Sequence, residues 1–538
     1  MLTIANVLVK AIGLLFKIPM QHMIGDEGMG YFNAAYTIYT WFYMISTAGL
    51  PIAISILVSE NRVKGNFGQV KRIFKFALSL FLVIGLVGSS LMMLFSRQFA
   101  STVSSEAMWC IISIAPTLFF ICITSAFRGY FQGYQLMGPT AISEVIESGG
   151  KLVLGLLFAH WAQNGGYELF CSTLSTWGIE PPAKLPFVAA AAIFGLTVGV
   201  FLGMVFMWFV KLFFKEAIYN HEYASLEDPD VSILSGKELL SKIFFIALPI
   251  TISSSVMSLA NLVDLLLMSK LLQASGLTAE GATAAYGNYT TLAVPMFNLP
   301  PVLIYPIATA IVPMLSAHIT AKKENDGRRI IFSSLKVAAI IALPCALGMS
   351  AMSYPILSML YTNDSAITAA PLLSVLAIAV FFLGMLSVTN SILQAHKKQW
   401  LPIISMLAGA SVKLISEFIL ISNFGIIGTP ISTLLCYITC STLNFIFVAK
   451  YTKIIPPLKL FIKPLIAALC CAAAALGSYT LLCNIIGEGK ITTVLSILIA
   501  GIVYLTMLLL VKCFEKEDFE ILPKGEKLYS LFSRFHLV

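Results

Sequence analysis

Charged side chains are scarce in this sequence, and those that fall inside long apolar runs are spaced to share single helix faces. Lys10 and Lys17 lie seven residues apart, two turns of one helix. Glu144, Glu147 and Lys151 follow at steps of three and four, so Glu147 can pair with Lys151. Asn261 and Asp264 share a face, and Lys413 and Glu417 repeat the four-residue spacing. Arg128 stands at the end of another apolar run. Ionisable groups at membrane depth are costly and usually face a polar interior. Lys10 and Lys17 have no acidic partner on their own segment, which suits them to an anion such as a phosphate; the alternative is that they snorkel to the two membrane surfaces. Glu147–Lys151 and Lys413–Glu417 read equally well as neutralised structural pairs. No CxxC pair with a second pair or histidines appears, so neither a metal site nor a cofactor is expected.

The elements that must hold these residues follow from composition. Of 538 residues 58% are hydrophobic and only 11% are charged, against roughly 25% charged in soluble proteins. A polytopic membrane protein is implied, and a soluble enzyme is excluded. Apolar runs place fourteen spans at 2–23, 34–58, 73–95, 107–127, 139–160, 187–212, 241–269, 285–315, 332–353, 366–393, 401–422, 426–449, 461–484 and 491–512. The runs are continuous rather than alternating, which favours helices over a β-barrel. With loops alternating between sides, one side collects twenty-six basic residues and the other four. The positive-inside rule then puts both termini in the cytoplasm. The same distribution assigns the net charge of +8 to membrane orientation, not to nucleic acid. Most of the ten cysteines fall in apolar runs, where they pack as small apolar side chains. The N-terminal run has no cleavage site and is read as a span, not a signal peptide.

Two pairs of segments repeat. Ala53–Phe74 resembles Ala310–Phe332 at an offset of 257, and Arg128–Leu152 resembles Asn390–Ile415 at an offset of 262. A duplicated six-span unit is expected: 1–214 as the first lobe, 215–240 as a cytoplasmic connector, 241–450 as the second lobe, 451–512 as two added spans. The tail 513–538 carries Leu528, Leu531, Phe532 and Phe535 on one face, the pattern of a helix lying on the membrane surface. Under this duplication the polar spans 1 and 5 correspond to spans 7 and 11, so charge falls on the same elements twice. Pro51 in span 2 and Pro295, Pro300, Pro301, Pro306 and Pro313 in span 8 predict kinks in counterpart helices. The expected fold is all-α, with about fourteen spans in two six-helix lobes plus two C-terminal helices.

The segments KIPMQHMIGDEGMGYFNAAYTIYT, STAGLPIAISILVSE, FRGYFQGYQLMGPTAISEVIE and VDLLLMSKLLQASGLTAEGATAAYG resemble the stage V sporulation protein B group of the MOP flippase superfamily. That superfamily also holds MurJ-type lipid II flippases and MATE drug exporters. The resemblance is densest over Lys17–Glu147 and Leu248–Ser316. It implies two six-helix lobes and export of a lipid-linked sugar across the cell membrane of a spore-forming type of bacterium. Ile56 and Lys17 stand where the family pattern leads one to expect a lysine and an arginine.

Three functions are weighed. The first is a flippase whose cavity binds the phosphates of a polyprenyl-linked oligosaccharide or lipid II through Lys10, Lys17 and Arg128, with Asn261 and Asp264 on the facing wall. Its partners would be that lipid, the membrane lipids and the cell-wall synthesis machinery, with no nucleic acid. The second is a cation-coupled drug exporter using Asp264, Glu144 and Glu147, against which the basic face of span 1 argues. The third is a membrane-embedded glycosyltransferase, which would need a catalytic outer loop; residues 161–186 offer only Glu168 and Glu180.

Overall fold

The computed structural model describes residues 2–101, 104–176, 182–214, 234–320 and 324–513, and every regular element among them is helical. The acidic stretch of the connector and the surface helix expected in the tail lie outside the described residues. Among the described residues nine helices are long and apolar enough to cross a bilayer, or ten if the bent pair near 279–308 counts as one. Two of the nine, Leu8–Val63 and Trp400–Thr452, run to 56 and 53 residues. At 1.5 Å per residue each is more than twice the hydrocarbon thickness of about 30 Å. Each therefore contains more than one span. The chain is a multi-pass membrane protein.

The residues up to Gly287 form one compact unit and those from Asn288 a second. The first contains α1 (Leu2–Thr47), α2 (Leu50–Val63), α3 (Phe67–Leu94), α4 (Ser96–Ser101), α5 (Met108–Gly133), α6 (Met137–Trp161), α7 (Tyr167–Thr176), α8 (Lys184–Phe213), α9 (Gly236–Ala274) and nearly all of α10 (Ala279–Asn288). A straight helix would hold Phe16 and Phe32 about 24 Å apart, yet their ring centroids are 5.6 Å apart. The chain folds back at Gly25, whose φ of +65° and ψ of −172° belong to a region almost closed to residues with a Cβ. So α1 is two antiparallel arms. The second arm breaks again at Ala48–Gly49, just ahead of Pro51 at the start of α2. The kink expected there is present.

The core of this unit is built around α5, which is buried over most of its circumference. Thr197 of α8 hydrogen-bonds Thr117 of α5 at 2.7 Å and donates to the Ser113 carbonyl at 2.7 Å. Against α8 lies α6, at backbone contact. A Cβ on Gly150 would meet the Gly199 Cα at 2.6 Å, and one on Gly199 would meet the Glu147 carbonyl at 2.8 Å. Gly195, Gly199 and Gly203 form one four-residue stripe on α8, the small-residue pattern that lets membrane helices approach closely. Helices α9 and α10 also pack here; a Cβ on Gly49 would strike the Thr251 hydroxyl of α9 at 2.6 Å. The first compact unit therefore takes in α9 and nearly all of α10.

The second unit contains α11 (Val294–Phe297), α12 (Pro301–Thr320), α13 (Glu324–Ala351), α14 (Ser353–Leu360), α15 (Asn363–Ala395), α16 (Trp400–Phe424), α17 (Gly428–Thr452), α18 (Lys459–Ile486) and α19 (Lys490–Leu510). The proline-rich run breaks as expected: Ala279–Phe297 and Pro301–Ala308 meet at 47°. A buried polar knot ties three helices. Ser405 of α16 donates to the Asn444 side-chain carbonyl of α17 at 2.6 Å, and the Asn444 amide donates to Thr389 at 3.2 Å and Asn390 at 2.6 Å, both on α15. The Tyr504 hydroxyl of α19 donates to the Ile340 carbonyl of α13 at 2.6 Å.

Candidate functional site

The second arm of α1 carries Phe32, Tyr36, Tyr39 and Tyr43 at steps of four, three and four residues, which stacks them on one face. Successive ring centroids are 6.5, 6.0 and 6.0 Å apart. Tyr39 is buried, Tyr43 is half-buried and Tyr36 is 37% exposed. Lys151 of α6 reaches over the start of this ladder. Its Nζ lies 4.8 Å from the Phe16 ring centroid, 4.9 Å from Tyr36 and 5.6 Å from Phe32, close enough for each ring face to attract the cation. Gly155 makes room for Phe16, since a Cβ there would sit 2.8 Å from its ring. Lys17, half-buried on the first arm, is within electrostatic reach of Lys151. Fold-back at Gly25 thus brings rings from both arms of α1 together under Lys151.

The carboxylate expected to neutralise Lys151 is engaged elsewhere. Glu147 accepts a hydrogen bond from Arg128 Nη2 at 2.7 Å, and Arg128 also donates to the Ser143 hydroxyl from Nε at 3.1 Å and Nη2 at 2.9 Å. The Glu147–Lys151 pairing is not formed. Local spacing permits it, but a guanidinium from α5 offers Glu147 a charge-assisted bond, while the aromatic rings take Lys151. The apolar run places Arg128 just past a span ending at 127. Helix α5 continues to Gly133, and Arg128 is buried within it at 8% exposure. Glu144, half-buried, lies within electrostatic reach of Arg128, as does Tyr43. Gly203 leaves space for the clamp, because a Cβ there would meet Glu147 Cγ at 2.6 Å.

The remaining predicted residues are dispersed. Lys10 is exposed on the first arm of α1. On α9 Asp264 is buried and Asn261 exposed, so the expected stripe is split between two environments. Lys413 and Glu417 are buried one turn apart on α16, at 4% and 0% exposure. Lys211 and Lys336 both lie on helices. Lys211 donates to the Tyr130 hydroxyl at 2.9 Å and lies over the Tyr130, Phe74 and Phe214 rings; Lys336 is buried in α13. Two features escaped the sequence reading: the aromatic ladder and the glycine stripe. Both left a signal, in the 32/36/39/43 and 195/199/203 spacings.

Comparison with known proteins decides the family. The family model described as "Lipid II flippase MurJ" matches residues 57–500. The chain belongs to the MurJ lipid II flippase family. It is 25% identical over 540 residues to "Uncharacterized membrane protein YabM" of Bacillus subtilis (strain 168), covering 99% of this chain and 96% of that one. It is 24% identical to "Stage V sporulation protein B" of the same organism, over 84% and 82% of the two chains. The fold is that of lipid II flippase MurJ in an inward closed conformation, with a TM-score of 0.67 at 15% identity over 94% of this chain and 97% of that one. An inward-facing MATE family transporter of the MOP superfamily shares it, with a TM-score of 0.66 at 16% identity over 84% and 94%. The MurJ-like and MATE-like all-helical fold read from the sequence is therefore the fold observed, and the family is one of transporters.

Proposed function

We propose that the protein flips a polyprenyl-pyrophosphate-linked saccharide of the lipid II type across the cytoplasmic membrane. Fourteen spans with both termini in the cytoplasm fit the charge asymmetry of the loops. The polar head of such a lipid cannot cross hydrocarbon unaided. What it needs is a sheltered cationic place for the phosphates, while the tail stays in lipid. Lysine is a mobile phosphate partner whose contacts break readily on release. No bond is made or broken in the substrate; the cycle is a change of access.

One observation carries this reading. Lys151 lies against an aromatic wall with Lys17 within electrostatic reach, and Glu147, the acidic group one turn from Lys151, is held by Arg128. Arg128 thereby keeps that carboxylate from Lys151, so that an anion can pair with the lysine instead. Lys10 would receive the phosphates first, two turns along the same arm. Asp264 and Asn261 would face the path, and Lys413–Glu417 would serve as a neutral pair in the second lobe. Among the cell-wall synthesis proteins, those that make and consume the lipid would be the natural partners, in vegetative or sporulating cells.

Depletion of the protein with measurement of inner-leaflet lipid-linked precursors tests the proposal. Accumulation of one such lipid identifies the substrate. Depletion without accumulation of any polyprenyl-linked saccharide contradicts it.

A further inference from the structure

We infer that the tyrosine ladder of α1 is a saccharide-binding track, with Tyr36, Tyr39 and Tyr43 holding the sugar head of the substrate whose phosphates sit at Lys17 and Lys151. The inference rests on the flippase reading and adds which part of the protein reads which part of the lipid. Four rings from Phe32 to Tyr43 span about 16 Å of helix at 1.5 Å per residue, a length suited to more than one sugar ring. A pyranose presents an apolar C–H face and a rim of hydroxyls. A tyrosine presents an apolar ring and one hydroxyl, so a row of them matches both features.

Two further observations point to a ligand. The face is not a hydrocarbon-facing one: Lys151 lies 4.9 Å from the Tyr36 ring centroid, Tyr39 is within electrostatic reach of Glu147, and Tyr43 of both Arg128 and Glu147. Charges of this kind sit on polar interiors, not against lipid. Among the described residues the Tyr36 and Tyr39 hydroxyls have no hydrogen-bond partner and are not sealed from solvent, so they are open to a ligand, while the neighbouring Thr37 hydroxyl pairs with Tyr286 at 2.8 Å. Purely structural tyrosines at these positions would be served equally well by phenylalanine, as Phe32 is. Lys151 at the start of the ladder fixes polarity. The phosphates stay near Phe32 and Tyr36, and the sugars extend towards Tyr43.

The test uses the full chain in lipid nanodiscs, titrated with two probes: lipid II, and undecaprenyl pyrophosphate, which carries the phosphates without the sugars. Tyr36→Phe/Tyr39→Phe keeps both rings and should weaken lipid II binding by about tenfold, as expected for two hydrogen bonds at the weaker end of their range. Binding of undecaprenyl pyrophosphate should stay within twofold. Lys17→Ala should weaken both probes alike. An unchanged lipid II affinity in the phenylalanine variant, or an equal loss for both probes, overturns the track. Failure of the wild-type chain to bind either probe overturns the flippase reading, and the track with it.

Discussion

Replacement of Arg128 by methionine tests whether the Arg128–Ser143–Glu147 clamp maintains the site. The substitution removes a 2.7 Å charge-assisted bond to Glu147 and two bonds to Ser143. It leaves a carboxylate in a pair whose side chains are only 10% and 15% exposed. Removing one partner of a buried pair costs about 3–5 kcal/mol, and the residual exposure places this case near about 3 kcal/mol. Replacing both partners with methionine removes both charges, and such replacements are often close to neutral. Two single losses of about 3 kcal/mol against a near-neutral double replacement make the coupling energy of the double-mutant cycle about 6 kcal/mol. Reversible unfolding of purified variants in mixed micelles measures it. A second readout follows from geometry. Freed from Arg128, Glu147 can turn to Lys151 one helical turn away, so Arg128→Met should weaken pyrophosphate binding and Glu147→Gln in the same chain should restore it. An Arg128→Met protein as stable as wild type, with unchanged pyrophosphate affinity, would refute the reasoning.

Gly199→Ala places a methyl group 2.8 Å from the Glu147 carbonyl and 2.9 Å from the Lys151 amide; overpacking against backbone should destabilise by about 1–3 kcal/mol in the same unfolding assay. Lys413→Met should lower the yield of folded protein more than Lys413→Met/Glu417→Met, because burial penalises a lone charge; equal yields on size-exclusion chromatography would contradict this. Single cysteines introduced at positions in 59–75 and 161–186 of a cysteine-free chain should label from opposite sides of the membrane in intact cells, as the charge asymmetry requires.

Much of the architecture was legible because the bilayer limits the choices. Long apolar runs had to be helices, and Pro51 and the proline cluster after residue 294 announced their breaks. What sequence could not supply was tertiary competition. Glu147 and Lys151 satisfy a local pairing rule, but a guanidinium from α5 and three rings from α1 win both ends. Arg128 looked like a loop charge because the segment after it, GYFQGY, is not strongly apolar; burial of Tyr130, Phe131 and Tyr134 extends α5 past it. The ladder was hidden in plain apolar content, since Tyr36, Tyr39 and Tyr43 count as hydrophobic in a span search. The packing of α9 in the first unit rests on contacts with α1 and α2, including the close approach at Gly49, all far from α9 in sequence. The Lys17 site draws on several segments: Phe32 and Tyr36 reach it only because the chain reverses at Gly25, and Lys151 comes from α6.

Translocation by the purified protein is the most direct test of the central claim. Fluorescent lipid II would be placed in both leaflets of sealed vesicles containing the full chain, and a membrane-impermeant quencher added outside. Wild-type protein should expose the inner-leaflet pool, and Lys17→Ala/Lys151→Ala, incorporated to the same level, should leave it protected. Full protection in wild-type vesicles, or exposure by the double variant at the wild-type rate, would contradict the account.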